Sequence, residues 1–360
     1  MNSIVSDGDK NPVSHEIWVV ELVSLQVKRI ALLSGERDSV KILGWSNDEN
    51  FIYTVRDHEG RPELYRFPAA DTRGAMKYNL ELPCLKKLFY DRGSFFTFQD
   101  NSERGCKVIG SIHEDDMAYH EIKIFRTKAS ESLDLVNARV SASGDYFALG
   151  IYYSCGEPPV GSTVLWLYNT RKGVLKKTGI ESYGRDMSIG WAPRQDLIAL
   201  RVVEPTDVDE FSYQLCFYSL GKEERLDKLS NSEIRKSFTV FWNSQNRLFL
   251  VMNDSIYLML LNNEGPVAKS LLNWRSSGLS PFEFALSPDG SRVVFNSRKA
   301  NAEIKDDVFL MNIDGTNVKR VIEPEGRRAV ERNPLYRFGS LCARVVSDLF
   351  TLVTHAIKKG

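Results

Sequence analysis

Apolar residues along this chain come in short runs separated by turn-formers, and the clearest stretch is PFEFALSPDGSRVVFNSRKANAEIKDDVFLMNIDGTNVKRVI, from Pro281 to Ile322. Its apolar runs are FEFAL, RVVF, VFLMN and VKRVI. The first two are joined by Ser287-Pro288-Asp289-Gly290-Ser291. There the proline presets φ, the aspartate can bond its own backbone, and the glycine accepts a left-handed conformation. The last two are joined around Asp314-Gly315, a strong hairpin signal. The pattern predicts one four-stranded antiparallel meander.

The same grammar recurs upstream. It opens at Val40 (VKILGWSNDENFIYTVRDHEGRPELYRF), near Leu85 (LKKLFYDRGSFFTFQD) and near Val136 (VNARVSASGDYFALGIYY). It returns at Met187 (MSIGWAPRQDLIALRVVE) and at Phe238 (FTVFWNSQNRLFLVMNDSIYLMLL). Trp45, Trp191, Trp242 and Leu286 close equivalent first strands, and a repeat of about 45 residues made of four short strands is the signature of a β-propeller. The recurrent tryptophans are expected to wedge between neighbouring blades. The fold class is therefore all-β, a propeller of four-stranded antiparallel blades over 16–322, after a leader at 1–15 and before a tail at 323–360.

Blade number turns on the two ends. Glu16 to Ile30, EIWVVELVSLQVKRI, matches the outer half of the last unit almost strand for strand, so it lacks inner partners. If Leu341–Val346 and Leu349–His355 supply them, both termini share one blade and close a seven-bladed ring, which removes an unpaired edge. Leu341, Val345, Leu349, Val353 and Ala356 equally fit one face of an amphipathic helix, the alternative of six blades plus a C-terminal helix.

The run SPDGSRVVFNSR followed by VFLMNIDGTNVKRVI resembles the TolB-type propeller repeat, a cousin of the WD repeat in which Ser-Pro-Asp-Gly closes the inner hairpin and Asn-x-Asp-Gly the outer one. Elsewhere the turns read WSNDEN, SASGDY, WAPRQD and WNSQNR, so the resemblance is at superfamily level. Related propellers precede the catalytic domain of prolyl-oligopeptidase-like enzymes. The resemblance implies a propeller, not an activity.

Composition narrows the partners. The 360 residues carry 47 Lys+Arg against 47 Asp+Glu, a net charge of zero. A nucleic-acid partner, which would call for a clustered cationic excess, is not expected. The basic pairs Arg171-Lys172, Lys176-Lys177 and Arg327-Arg328 are short, offset by acidic ones, and read as solvated faces. The first twenty residues lack a basic leader, and IWVVEL is broken by Glu21, so a soluble, cytoplasmic protein without a membrane segment is expected. Five dispersed cysteines without a Cys-x-x-Cys pair fit free thiols in a reducing compartment.

No Gly-x-Ser-x-Gly elbow and no phosphate-cradling Gly-x-x-x-x-Gly-Lys occur. Ser111 to Asp116 with His120-Glu121 gathers several possible metal ligands but reads as a solvated hairpin loop, and neither metal nor cofactor is expected. Catalytic residues are not assigned.

Function is instead expected on a surface. First-to-second and third-to-fourth turns of a meander emerge at one end of the blades, and the other connections at the opposite end. Four of those other connections read as long: Arg56 to Pro62, Tyr153 to Ser162, Glu204 to Tyr213 and Arg298 to Asp307. Insertions on one side of a repeat array mark its binding face. The candidates are Arg56, Asp57, His58, Glu157, Glu204, Asp207, Asp209, Glu210, Arg298 and Lys299, a mixture of signs that suits a protein or peptide. The reading is a non-catalytic interaction platform. Two alternatives stay open: a hydrolase or lyase using Asp57, His58, Glu157 and Glu204 at a channel mouth, and the propeller part of a prolyl-oligopeptidase-like assembly.

Overall fold

The computed structural model describes residues 13–20, 27–35, 39–46, 48, 50–58, 61–68, 75–78, 80, 82, 84–101, 105–127, 131–155, 160–206, 211–221, 224–229, 237–243, 245–252, 255–262, 265–273, 281–287, 290–297 and 307–320. All regular structure among them is strand. β1 (Val13–Val20) and β2 (Val27–Gly35) pair as a two-stranded sheet. Six four-stranded antiparallel meanders account for the rest. They are β3 (Ser39–Trp45), β4 (Phe51–His58), β5 (Arg61–Pro68) and β6 (Met76–Tyr78); then β7 (Leu85–Asp91), β8 (Ser94–Asn101), β9 (Cys106–His113) and β10 (Tyr119–Arg126). Next come β11 (Glu131–Val140), β12 (Tyr146–Cys155), β13 (Val160–Asn169) and β14 (Val174–Tyr183), then β15 (Ser188–Trp191), β16 (Leu197–Pro205), β17 (Phe211–Ser219) and β18 (Glu224–Leu229). β19 (Phe238–Trp242), β20 (Leu248–Met252), β21 (Ser255–Asn262) and β22 (Gly265–Asn273) precede β23 (Pro281–Leu286), β24 (Arg292–Ser297), β25 (Asp307–Asn312) and β26 (Lys319–Arg320).

The chain divides into two compact units, one of 1–81 with 272–360 and one of 82–271. The first holds the β1–β2 pair and the sheets β3–β6 and β23–β26; the second holds the four central sheets. The β1–β2 pair covers the stretch from Glu16 to Ile30 that the sequence marks as a half blade. Its proposed mates at Leu341–Val346 and Leu349–His355, and the rival helix, lie outside the described residues.

Four of the six first-to-second turns close by a shared device. Ser46, Ser141, Asn243 and Ser287, all buried, follow the first strand of their sheets. Their side-chain oxygens accept the N–H groups of Phe51, Tyr146, Arg247 and Arg292, at 2.7 to 3.1 Å. Gly144, Asn246 and Gly290 take positive φ three residues later, where a tight turn requires it.

In the second unit the apolar alternation is used on both faces. Ile198, Leu200 and Val202 of β16 join one cluster with Leu165, Ile180, Met187 and Trp191. Ala199, the intervening residue, joins another with Phe238, Val240, Trp242 and Leu250. β12 behaves likewise, with Phe147, Leu149 and Ile151 turned toward Phe96, Phe98 and Ile109 of the preceding sheet and Ala148 toward the following one. Period-two alternation sends successive side chains to opposite faces, so a strand covered on both reads as a continuous apolar run. Trp191 and Trp242 are buried wedges in these clusters, as the repeat register predicted. The side chain of Trp45 lies outside the described residues.

One expectation needs correcting. β4 and β5 stay paired as far as His58↔Arg61, so Arg56, Asp57 and His58 are strand residues rather than loop residues. β12 and β13 pair to Cys155↔Val160, and β16 and β17 to Pro205↔Phe211. The connections left there, 156–159 and 206–210, are no longer than the first-to-second turn 141–145. Antiparallel pairing satisfies backbone groups that a polar loop would leave to water, and Pro62 is tolerated because β6 reaches only Leu64 to Arg66, leaving Pro62 at a single-neighbour position. The stretch 298–306 lies outside the described residues. In these three sheets the second-to-third connections are therefore no longer than the first-to-second turns.

Two outcomes follow from the packing. Phe147 is 1% exposed and meets Phe96 edge-on at 4.9 Å across two sheets. Replacing Phe147 by Ala should cost about 3–5 kcal/mol, read as a lowered urea midpoint. Val174→Ala, at a residue 54% exposed, should move it by less than about 0.5 kcal/mol. Tyr153, packed against the same cluster as Phe147, has its hydroxyl pushed up from 10.0 to about 12 by burial. The stability it contributes is complete below the unfolded value and is lost as pH rises from 10.0 through about 12. Tyr153→Phe should flatten that alkaline loss, measured by denaturant unfolding at successive pH values.

Candidate functional site

The end of each sheet where second-to-third and fourth-to-first connections meet carries the chain's most developed side-chain network. In the second unit it centres on the short segment Ser182 to Asp186 that leads from β14 into β15. Gly184 has φ of 69°, its N–H donates to the Gly161 carbonyl (2.9 Å), and its carbonyl accepts from Thr163 Oγ1 (2.7 Å). The Ser182 hydroxyl donates to the Asp186 carbonyl (2.5 Å) and accepts the Val203 N–H (2.8 Å). Both β13 and β16 therefore hold the segment.

From this anchored backbone two side chains reach neighbouring sheets. Arg185 Nη1 donates to Asp134 Oδ2 of β11 at 3.1 Å, and the same oxygen accepts from Lys87 Nζ of β7 at 2.6 Å. The Arg185 guanidinium lies 4.7 Å over the Tyr152 ring. That ring is itself fixed, because its hydroxyl occupies the space where Gly161 would carry a Cβ. Asp186 pairs with Arg201 of β16, which also donates to the Phe238 carbonyl and, at 2.8 Å, to Ser237 Oγ beside β19. One line of ion pairs and hydrogen bonds thus runs across four consecutive sheets. Tyr183, two residues from Arg185, stacks on Phe211 at the start of β17, with centroids 5.3 Å apart and an interplanar angle of 30°.

The corresponding end of the β3–β6 sheet is a smaller ionic group. Lys77 Nζ and the Tyr65 hydroxyl donate to Glu63 at 2.5 and 2.9 Å. Burial works to raise the Glu63 carboxyl, but these hydrogen bonds and the charges of Lys77 and Arg56 outweigh it and hold it below its ordinary value. Burial first, then the Glu63 hydrogen bond, pushes the Tyr65 hydroxyl up.

Of the residues expected on a binding face, Arg56, Asp57 and His58 are consecutive in β4 of the first unit, and only Arg56 has a described side chain, half-buried beside Glu63 and Tyr65. Glu204 is half-buried in β16 of the second unit and accepts from Gln214 Nε2. Glu157, Asp207, Asp209, Glu210, Arg298 and Lys299 lie outside the described residues. Of the Asp57, His58, Glu157 and Glu204 set, only Glu204 has a described side chain, so the set as a whole lies outside the described residues; among those residues no group of three His, Cys, Asp or Glu side chains is placed to hold a metal. The hairpin of Ser111 to Glu121 brings His113 and His120 rings to 5.9 Å, while Glu114 accepts from the Tyr90 hydroxyl (2.6 Å) and Asp116 caps the Ala118 N–H (2.8 Å). These are turn and edge contacts. No helix among the described residues is long and apolar enough to cross a membrane.

Lys87, Asp134, Arg185 and the Tyr183–Phe211 pair escaped the sequence reading. The signal was present in LKKLFYD and ESLDLVNARV, where a charge sits inside an otherwise apolar first strand.

No protein-family model matches the sequence, and no curated protein matches it. Similar solved structures do exist. An oligogalacturonate lyase in complex with manganese is 10% identical, with a TM-score of 0.56, covering 89% of this chain and 83% of that one. An acylaminoacyl peptidase from Pyrococcus horikoshii is 11% identical with a TM-score of 0.52, covering 92% of this chain but 54% of its own. A putative TolB from Agrobacterium tumefaciens is 13% identical with a TM-score of 0.47, covering 87% and 89%. Repeated four-stranded antiparallel sheets, in the second unit apolar on both faces, together with the likeness to the lyase and peptidase structures identify the fold as a β-propeller.

Proposed function

We propose that this propeller is a non-catalytic protein-interaction platform, with its binding face at the end of the blades that carries the Ser182–Asp186 segment. The observation that carries the reading is that segment. Its backbone is fixed by two strands while Arg185 and Tyr183 stay in contact with solvent, so an interaction surface is organised before any partner arrives, which lowers the ordering cost of binding.

In the second unit Asp134 is held by two cations, Asp186 by Arg201 and Glu204 by Gln214, so each of these carboxylates is already engaged as an ion-pair or hydrogen-bond acceptor. In the first unit Glu63 is kept below its ordinary value, the opposite of what a general acid working near neutrality needs. The lyase and peptidase names among the similar structures bring a fold and no activity to this chain. In the second unit Glu157, Glu204, Asp207, Asp209 and Glu210, at its second-to-third connections, belong to the proposed face; in the first unit Arg56, Asp57, His58, Arg298 and Lys299 are proposed at the corresponding ends of their own sheets.

Charge reversal separates the two ends. Asp207→Lys, Asp209→Lys and Glu210→Lys combined in the full chain should remove protein partners recovered by affinity purification and mass spectrometry. Asp145→Lys with Asp196→Lys, in first-to-second turns at the opposite end, should leave them unchanged. An identical partner set after the first change, or loss only after the second, sinks the assignment.

A further inference from the structure

Lys87 and Arg185 converge on a single oxygen of Asp134, whose side chain is 9% exposed, whereas theirs are 40% and 57% exposed. Two solvent-facing cations over one buried carboxylate leave an excess of one positive charge. Arginine has five N–H donors in a planar fork, and one nitrogen of Arg185 is engaged with Asp134, so its remaining donors suit a second carboxylate. The guanidinium is not free to swing away, because it rests on the Tyr152 ring.

The same segment also carries an aromatic contact. Tyr183 is 37% and Phe211 47% exposed, and they stack on each other in solvent. Such a pair offers a flat apolar area of low conformational entropy, the kind of anchor enriched at interfaces. Tyr183 and Arg185 flank Gly184, so a cationic and an aromatic contact are presented two residues apart on one anchored segment.

We infer that the partner is an acidic, extended peptide segment that places a carboxylate on Arg185 and Lys87 and an aromatic or aliphatic side chain on Tyr183 and Phe211. The two partner residues would sit within about three positions of each other, the reach of a strand rising about 3.3 Å per residue. This rests on the interaction-platform reading above and adds the chemistry of the partner. Single-stranded nucleic acid also combines negative charge with stacking, but it favours a cationic groove that tracks many phosphates, and here one carboxylate interrupts the only two cations of the cluster.

Random peptides displayed on phage, panned against the full chain, should yield a consensus with Asp or Glu near Phe, Tyr, Trp or Leu. A synthetic peptide of that consensus should bind about tenfold more weakly to Arg185→Gln and about fivefold more weakly to Tyr183→Ala. Arg185→Gln leaves Lys87 on Asp134, and Tyr183→Ala alters an exposed ring, so unfolding midpoints of both should stay near the parent's. A basic or neutral consensus, undiminished binding to both variants, or oligothymidylate binding in place of peptide overturns the acidic partner while the platform stands. No enriched peptide, with partners indifferent to the reversal at 207, 209 and 210, overturns both.

Discussion

A sheet whose side chains are apolar on both faces has nowhere to put either face except against another sheet. β16 shows the constraint most simply. Ile198, Leu200 and Val202 belong to one cluster and Ala199 to the next, so no register of that strand would satisfy water on either side. Three successive interfaces in the second unit repeat the arrangement, each closed by aromatic wedges such as Phe147, Trp191 and Trp242. Everything else described follows from it. The strands are short because each crosses one layer of wedge packing, and the ladders can be cooperative because no sheet is stable without its neighbour.

Much of this was legible in the sequence because the controlling signals are local. Turn chemistry at Ser287 to Ser291 and Asp314-Gly315, alternation within each run, and a recurrent tryptophan register are read from a few adjacent residues, and the strands fall where those signals put them. The turn device was only half visible. Ser46, Ser141, Asn243 and Ser287 look like loop polarity in the sequence and prove to be buried acceptors for an N–H on the opposite strand. Connection length was misread at Arg56 to Pro62, because a polar, proline-containing stretch resembles a loop until pairing extends both strands through it.

The candidate site was less legible for a physical reason. Lys87 and Asp134 come from two sheets and Arg185 from the connection that leaves the second, and their meeting depends on how far one sheet is staggered against the next, a quantity no local pattern encodes. The Tyr183–Phe211 stack likewise joins the end of one sheet to the start of a strand in the next. The Asp, Glu, Arg and Lys candidates drawn from loop composition were chosen for exposure and sign, whereas the observed network is organised by a buried carboxylate.

That carboxylate bears on why the network exists. An ion pair with exposed cations contributes little net stability, and a carboxylate nine-tenths buried costs desolvation that two partly solvated partners only offset. An apolar residue at Asp134, opposite Tyr152 of β12, would carry no such cost. Stability therefore does not explain the choice, and neither does turn geometry, since the first-to-second turns built on Ser and Asn close within their own sheets. What Asp134 does accomplish is to fix at one point a cation of β7 and a cation of the β14–β15 connection, with Arg185 held against Tyr152. Such an arrangement has a physical rationale when the exposed faces of those cations meet a third, negatively charged group.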